Sequence, residues 1–323
     1  MPFTLSRDGE PVPTALTGAV VAIGNFDGVH RGHQRLIAAA REAAAPAGRP
    51  AGVLTFEPHP RLFFNPAAAL FRLTPEPEKL ALIERYGADG AFVRRFDGAL
   101  ASLGPDEFVD RLLVAELGVA GVVVGHDFRF GRGREGTPDR LERLCAERGL
   151  ACMRVEPVAY DGRVVSSSAI RIALEEGDVA TANGLLGHAW FVRAAVRHGD
   201  KRGRTLGYPT ANLRLPDTCR LRHGIYAVRA LVDGGSFEGV ASFGRRPTFD
   251  NGAAVFETFV FDFSGDLYGK TLRITPVARL RDEMRFDSVP ALVARMDVDS
   301  AEARAVLATL EPLSPLDRTL LFG

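Results

Sequence analysis

The chain has few cysteines, no net charge and no long apolar run. Its 323 residues include three cysteines, Cys145, Cys152 and Cys219, with no CxxC pairing among them. That excludes a disulfide framework and a thiolate zinc site, and the three read as incidental or buried thiols of a reducing compartment. Forty Lys and Arg balance forty Asp and Glu. No overall field therefore draws the protein to nucleic acid or to an anionic membrane. No apolar stretch approaches the ~20 residues of a membrane span. Residues 1–18 are polar and proline-broken, unlike a signal peptide, so a cytoplasmic location is expected. No internal repeat is present. What remains is an ordinary globular composition, 46% hydrophobic and 25% charged, on a chain long enough for two domains.

The two halves follow different grammars. In the first, apolar runs at residues 19–23, 53–56, 91–93 and 122–124 alternate with helical patterns at 34–45, 78–86 and 105–117. Runs apolar on both faces and separated by helices predict a parallel, doubly wound α/β sheet of Rossmann-like type. Helices are expected near residues 168–175 and 178–186, and a boundary falls between a domain of residues 1–183 and one of 187–323. Beyond it, strand-like segments at 224–232, 238–243, 254–263 and 270–280 are joined by short turns such as Asp233-Gly234-Gly235. That predicts an antiparallel sheet or small β-barrel, closed by helices at 289–296 and 301–310.

Chemistry concentrates in Gly24-Asn25-Phe26-Asp27-Gly28-Val29-His30-Arg31-Gly32-His33, between the first apolar run and the first helix. A helix N-terminus offers free N–H groups and the positive dipole end, and glycines permit close approach, so this turn suits a nucleoside triphosphate. His30 and His33 are three apart and can share one side of the first turn. A bound polyphosphate would raise their pKa values. In a parallel sheet, ligands bind beyond the C-terminal strand ends, where Gly125-His126-Asp127-Phe128-Arg129-Phe130-Gly131 also falls. Two further segments are candidates for the same nucleotide. Thr55-Phe56-Glu57-Pro58-His59-Pro60 is one. The other, Ser166-Ser167-Ser168-Ala169-Ile170-Arg171, puts hydroxyls at a helix start and a guanidinium one turn in, a set suited to phosphate or simply to capping.

In the second half, Gly199-Asp200-Lys201-Arg202-Gly203-Arg204-Thr205-Leu206-Gly207-Tyr208-Pro209-Thr210-Ala211-Asn212 is a Gly- and Arg-rich loop before a strand. It is neither a P-loop nor a dinucleotide fingerprint. In the strand that follows later, alternation sets Glu257 beside Val255, Phe259, Phe261 and Phe263 on the more apolar face. A carboxylate there is costly unless paired, and desolvation would raise its pKa. It is either a structural ion-pair member or a positioned base for a hydroxyl nucleophile.

These strings resemble the bacterial bifunctional riboflavin kinase/FAD synthetase family over almost the whole chain, least over residues 1–18 and 35–52. The resemblance implies phosphorylation of riboflavin to FMN, then adenylyl transfer from ATP to FMN giving FAD and pyrophosphate, both with Mg·ATP. For the adenylyltransferase it implies ATP and phosphate contacts at Gly24, Asn25, Phe26, Asp27, His30, His33, Asp127, Ser166, Ser167, Ser168 and Arg171. His30 and His33 would neutralise charge. Flavin contacts are implied at Phe56, His59 and Phe128, whose rings are equally suited to packing under the sheet edge. For the kinase it implies ATP contacts at Gly199, Gly203, Arg204, Gly207, Pro209, Thr210 and Asn212, with Thr210 and Asn212 as hard oxygen ligands of Mg²⁺. Glu257 is the implied base, and Arg281, Glu283 and Phe286 form the flavin-side wall. One departure stands in the kinase half: Ser242 replaces the family's usual Asn, which puts any ligand contact there in doubt. The partners implied are riboflavin, FMN and ATP, with homo-oligomerisation left open. A single-activity adenylyltransferase with a degenerate kinase half is disfavoured by the intact loop and Glu257. A flavin-binding, regulatory or flavin-dependent redox protein is disfavoured by the absence of a nicotinamide fingerprint.

Overall fold

In the computed structural model, residues 2–67, 69–199, 206–245 and 254–322 are described. The chain divides into two compact units, Met1–Leu70 with Thr74–Val165, and Phe71–Leu73 with Ser166–Gly323. The helix Ser167–Glu176, within the first domain as drawn from sequence, and the helix Val179–Leu186, which runs across its expected end at 183, both fall in the second unit.

The first unit is the expected α/β sheet. Six parallel strands run in the order β1 (Thr4–Arg7), β4 (Gly90–Arg95), β3 (Ala51–Glu57), β2 (Val20–Ile23), β5 (Gly121–Gly125), β6 (Ala151–Val155). The central strands are buried on both faces, which is why they read as unbroken apolar runs. β1 and β6 are edge strands with exposed residues, and their weak patterns hid them in the sequence. β2 and β5 are neighbours, so the two glycine-rich motifs leave adjacent strands at the same edge. Helix α1 (Arg31–Ala44) follows β2 and buries Leu36, Ile37, Ala39, Ala40 and Ala44. Residues 105–117, read as one α-helix, begin as α over Pro105–Glu107 and continue as a π-helix over Phe108–Glu116.

The second unit is a closed antiparallel barrel in the order β10 (Thr210–Arg214), β13 (Ala254–Val260), β12 (Gly235–Arg245), β11 (Gly224–Val232), β14 (Thr271–Arg281), β9 (Val192–Arg197). β10 is the strand expected after the Gly- and Arg-rich loop, beginning at Thr210 within it; β9 was not foreseen, for only Val196 of its six residues is buried and it gives little apolar signal. β13 ends at Val260, three residues short of expectation. The chain turns there at Asp262 (φ +57°), and Phe261 leaves the strand for the apolar cluster containing Ala303 and Leu307. The two helices expected at 289–296 and 301–310 are one, Val289–Ala308. Asp299 interrupts the sequence pattern but not the helix, because Arg281 and Arg295 both hold its carboxylate. A further helix, Pro315–Phe322, has Asp317 buried with its carboxylate accepting from the Ala189 and Leu313 amides at 2.7 and 2.8 Å. Residues 71–73 join this unit through Leu73, whose carbonyl accepts from Trp190 Nε1 at 2.9 Å, and Phe71, edge-on to Trp190.

Candidate active sites

The strand-to-helix turn in the first unit is built on strained backbone. Phe26, Gly28 and Val29 have φ of +52°, +88° and +41°. A β-branched residue at positive φ persists only where its surroundings over-determine it. Phe26 and Asp27, expected to touch phosphate, are buried at 0% and 1% exposure and act as the turn's anchors. Asp27 Oδ1 accepts from the Thr74 amide at 3.1 Å, and Thr74 Oγ1 accepts from the Gly28 amide at 2.9 Å.

This turn delivers the two histidines to α1. His30 is the N-cap, its Nδ1 accepting from the His33 amide at 3.3 Å. The imidazoles stack with centroids 3.6 Å apart, and Phe26 lies 4.8 Å from His33. Gly32 makes the stack possible, since a Cβ there would come within 3.2 Å of the His30 ring. Burial, then His30, then Lys79 hold the His33 pKa well below its ordinary value. The protein's own groups therefore disfavour protonation of His33, and the rise expected from a polyphosphate would act against them. Its Nδ1 is buried without a hydrogen-bond partner among the described residues.

A residue that the sequence reading missed lies under this turn. Lys79, in helix α3 (Glu76–Arg85), is 1% exposed. Its Nζ donates to Glu57 Oε1 at 2.7 Å and Thr55 Oγ1 at 3.1 Å. A signal was present, because Lys79 shares the helix face of Leu82 and Ile83, three and four positions on, where an apolar residue belongs.

The other first-unit candidates occupy the same strand edge. Phe56 is buried in the core and meets Phe96 edge-on, so it packs under the sheet edge. His59 caps helix α2 (Pro60–Phe64) through an Nδ1 that accepts from the Arg61 amide. Asp127 is exposed, and Phe128 stacks on Phe130 at 5.6 Å. Residues 166–171 belong to the second unit. There Ser166 caps its helix by accepting from the Ala169 amide, and Arg171 Nε donates to the Phe71 carbonyl at 2.6 Å. Ser168 is exposed and Ser167 half-buried.

A cavity of about 880 Å³ is lined by barrel strands and by Leu292, Met296 and Asp299 of the helix Val289–Ala308. One cross-strand row lines it: Asn212 pairs with Glu257, Glu257 with Ser242, Ser242 with Ile225, and Ile225 with Arg281. Residues opposite one another on adjacent strands share a face, so five strands aim these side chains at one space. Thr210 and Phe259 form part of the next row. The apolar setting expected for Glu257 holds only in part, since Val255 and Phe259 flank it on its strand. Its cross-strand neighbours are an amide and a hydroxyl, Phe261 and Phe263 lie beyond the strand's end, and the residue is half-buried.

Asn212 is oriented from two sides. Its Nδ2 donates to the Thr210 carbonyl at 3.3 Å, and a Cβ on Gly199 would sit 2.6 Å from that nitrogen. Pro209 and Gly199 line the cavity, whereas Gly207, exposed at φ +83°, shapes the turn before it. Gly203 and Arg204 lie outside the described residues. Arg281, Glu283 and Phe286 line the other side. Arg281 grips Asp299 with both Nε (2.8 Å) and Nη2 (2.5 Å). Tyr208 hydrogen-bonds Asp297, and burial followed by that carboxylate pushes its pKa up to about 12. Among the described residues, no three His, Cys, Asp or Glu side chains cluster as a metal site, and no helix is long and apolar enough to cross a membrane.

Two family models match the chain, FAD synthetase over residues 12–169 and riboflavin kinase over 186–307. A bifunctional riboflavin kinase/FMN adenylyltransferase of Pseudomonas fluorescens is 42% identical across 90% of this chain and 94% of its own. The chain belongs to the bifunctional riboflavin kinase/FMN adenylyltransferase family. Its Bacillus subtilis relative is 37% identical over 88% of this chain and 91% of its own. A solved structure described as a macrolide-efflux protein from Streptococcus pneumoniae superposes with a TM-score of 0.84 at 31% identity, covering 96% of this chain and all of that one. Members of this family are enzymes, transferases acting in flavin synthesis.

Proposed function

We propose that the barrel transfers the γ-phosphate of ATP to riboflavin, and that the strand edge of the α/β unit joins the FMN product to the AMP part of a second ATP. The observation that carries this reading is the row through Glu257. A carboxylate stands between an amide and a hydroxyl inside a cavity large enough for a flavin and a nucleotide phosphate. The 5′-hydroxyl of riboflavin is a poor nucleophile at neutral pH, and Glu257 is the base that accepts its proton as the oxygen attacks the γ-phosphorus. Arg281, Glu283 and Phe286 form the flavin side of the cavity.

Thr210 and Asn212 present a hydroxyl and an amide oxygen two residues apart on one strand face, beside Glu257. This hard-oxygen set fits Mg²⁺, which takes few protein ligands and completes its shell with phosphate and water. When bound, Mg²⁺ neutralises phosphate charge. Asn212 orients its amide whether or not the ion is present, through its bond to the Thr210 carbonyl.

Adenylyl transfer places a different demand on the protein. The FMN phosphate is already ionised, so the residues have to neutralise and align two anions, and no base is needed. The N-terminal amides of α1 supply the positive dipole end, and His30 and His33 supply hydrogen-bond donors, with pyrophosphate leaving as an FMN phosphate oxygen bonds to the α-phosphorus. Asp127, Phe128 and His59 border this edge. The protein works as a soluble enzyme of the cytoplasm on small molecules.

The test is a chromatographic time course of riboflavin with Mg·ATP. FMN should rise first and then give way to FAD. FMN alone would sink the adenylyl half, and a yellow protein that consumes no ATP would sink both.

A further inference from the structure

Helix α3 holds the histidine turn at two points. Just ahead of it, Thr74 exchanges hydrogen bonds with Asp27 and Gly28. In its first turn, Lys79 Nζ donates to Thr55 Oγ1 at 3.1 Å, and Thr55 Oγ1 donates to the Asn25 carbonyl at 3.2 Å. The amine is itself 3.5 Å from that carbonyl. Strained Phe26 sits between these anchors, and Val29 and the histidines follow.

A buried Lys–Glu pair is poor evidence of stabilisation, because apolar residues of similar volume often do as well. The Lys79–Glu57 pair alone therefore gives no reason for a lysine here. The polar relay toward the turn does. At 1% exposure Lys79 does not reach a substrate, so it acts through other groups.

We propose that Lys79 is a positioning residue for adenylyl transfer: through Thr55 and the Asn25 carbonyl it fixes the turn that presents His30 and His33. The inference rests on assigning that reaction to this turn. The ammonium also opposes protonation of His33, as His30 does from the same turn, while Glu57 faces the amine from β3.

The full chain provides its own control, since both reactions are measured on one preparation. Lys79→Met should lower kcat for FMN to FAD by about a hundredfold, the scale of a misplaced catalytic group, with riboflavin phosphorylation unchanged. Thr55→Val removes the relay but not the charge pair, and should cost about tenfold. Losing the ammonium should also raise the His-range apparent pKa in the pH–rate profile of FAD synthesis, a change absent from Thr55→Val and Lys79→Arg. If Lys79→Met unfolds its unit, the double variant Glu57→Gln/Lys79→Met removes the unpaired carboxylate too; FAD synthesis should stay low with the profile still shifted. Wild-type kcat and profile in Thr55→Val and in the folded Lys79 variant would overturn the proposal. His30→Ala/His33→Ala is run in parallel. Full FAD synthesis there overturns the underlying site assignment, whereas loss there with unaffected Lys79 and Thr55 variants overturns this inference alone.

Discussion

At the strand edge of the α/β unit, His30 and His33 are carried by a turn in which Phe26, Gly28 and Val29 all have positive φ. In the barrel, Asn212, Glu257 and Ser242 stand on regular strands in plain cross-strand register. One site stores its precision in backbone anchored by buried Asp27, Thr74 and Lys79, and the other takes it from the pleat. On the proposed assignments, the difference follows the nucleophile. A phosphate arrives already charged and needs donors and cations at a helix N-terminus, whereas a hydroxyl needs somewhere to leave its proton. Two reactions of ATP thus use two unlike constructions in one chain.

If a base matters only in the barrel, Glu257→Gln should cut riboflavin phosphorylation by about 10²–10⁴-fold and leave FAD synthesis from supplied FMN intact. Loss of both activities in a folded variant would erase the distinction between the regions. On the other side, His30→Ala/His33→Ala should reduce FAD formation by about 10²–10³-fold, the scale of losing preorganised charge stabilisation, while FMN accumulates. Unchanged FAD output would remove the histidines from that site.

A smaller effect probes how the barrel orients Asn212. Gly199→Ala drives a Cβ to 2.6 Å from its Nδ2 and should lower kinase kcat/KM by about tenfold through displacement of that amide. Wild-type kinetics would mean the pose of Asn212 is not needed. The smallest effect concerns His33, whose folded pKa lies below its unfolded value. Between those two values the unfolded chain binds the extra proton. Stability should therefore fall as pH drops below about 6.5, by at most about 1.4 kcal/mol per pH unit from this group. Thermal melts at pH 7.5 and 5.5 should show a smaller acid loss in His33→Gln; equal losses would remove His33 as the source.

Much of the fold was legible because burial leaves a pattern. β2, β3 and β5 read as strands since both of their faces are covered. Edge strands β1 and β6 and the barrel strand β9 did not, because exposed positions carry no apolar signal. The continuous helix Val289–Ala308 was split on paper by Asp297 and Asp299, whose partners Tyr208 and Arg281 are remote in sequence. Local pattern cannot anticipate a neutralising charge that arrives through folding. The Glu257 reading shows the same limit: Val255 and Phe259 flank it as its own strand implied, but the amide and hydroxyl on either side belong to other strands.

The sequence by itself determined the two grammars, the strand-to-helix placement of the histidines and the identity of the candidate residues for phosphate chemistry. These are local properties, set by periodicity, glycine and side-chain type. Only the tertiary structure decided that Asp27 anchors the turn, that protonation of His33 is disfavoured, that Lys79 lies under the histidine turn, and that Asn212, Glu257, Ser242 and Arg281 form one row. Each depends on distant segments meeting, and on the desolvation and register that such meetings impose.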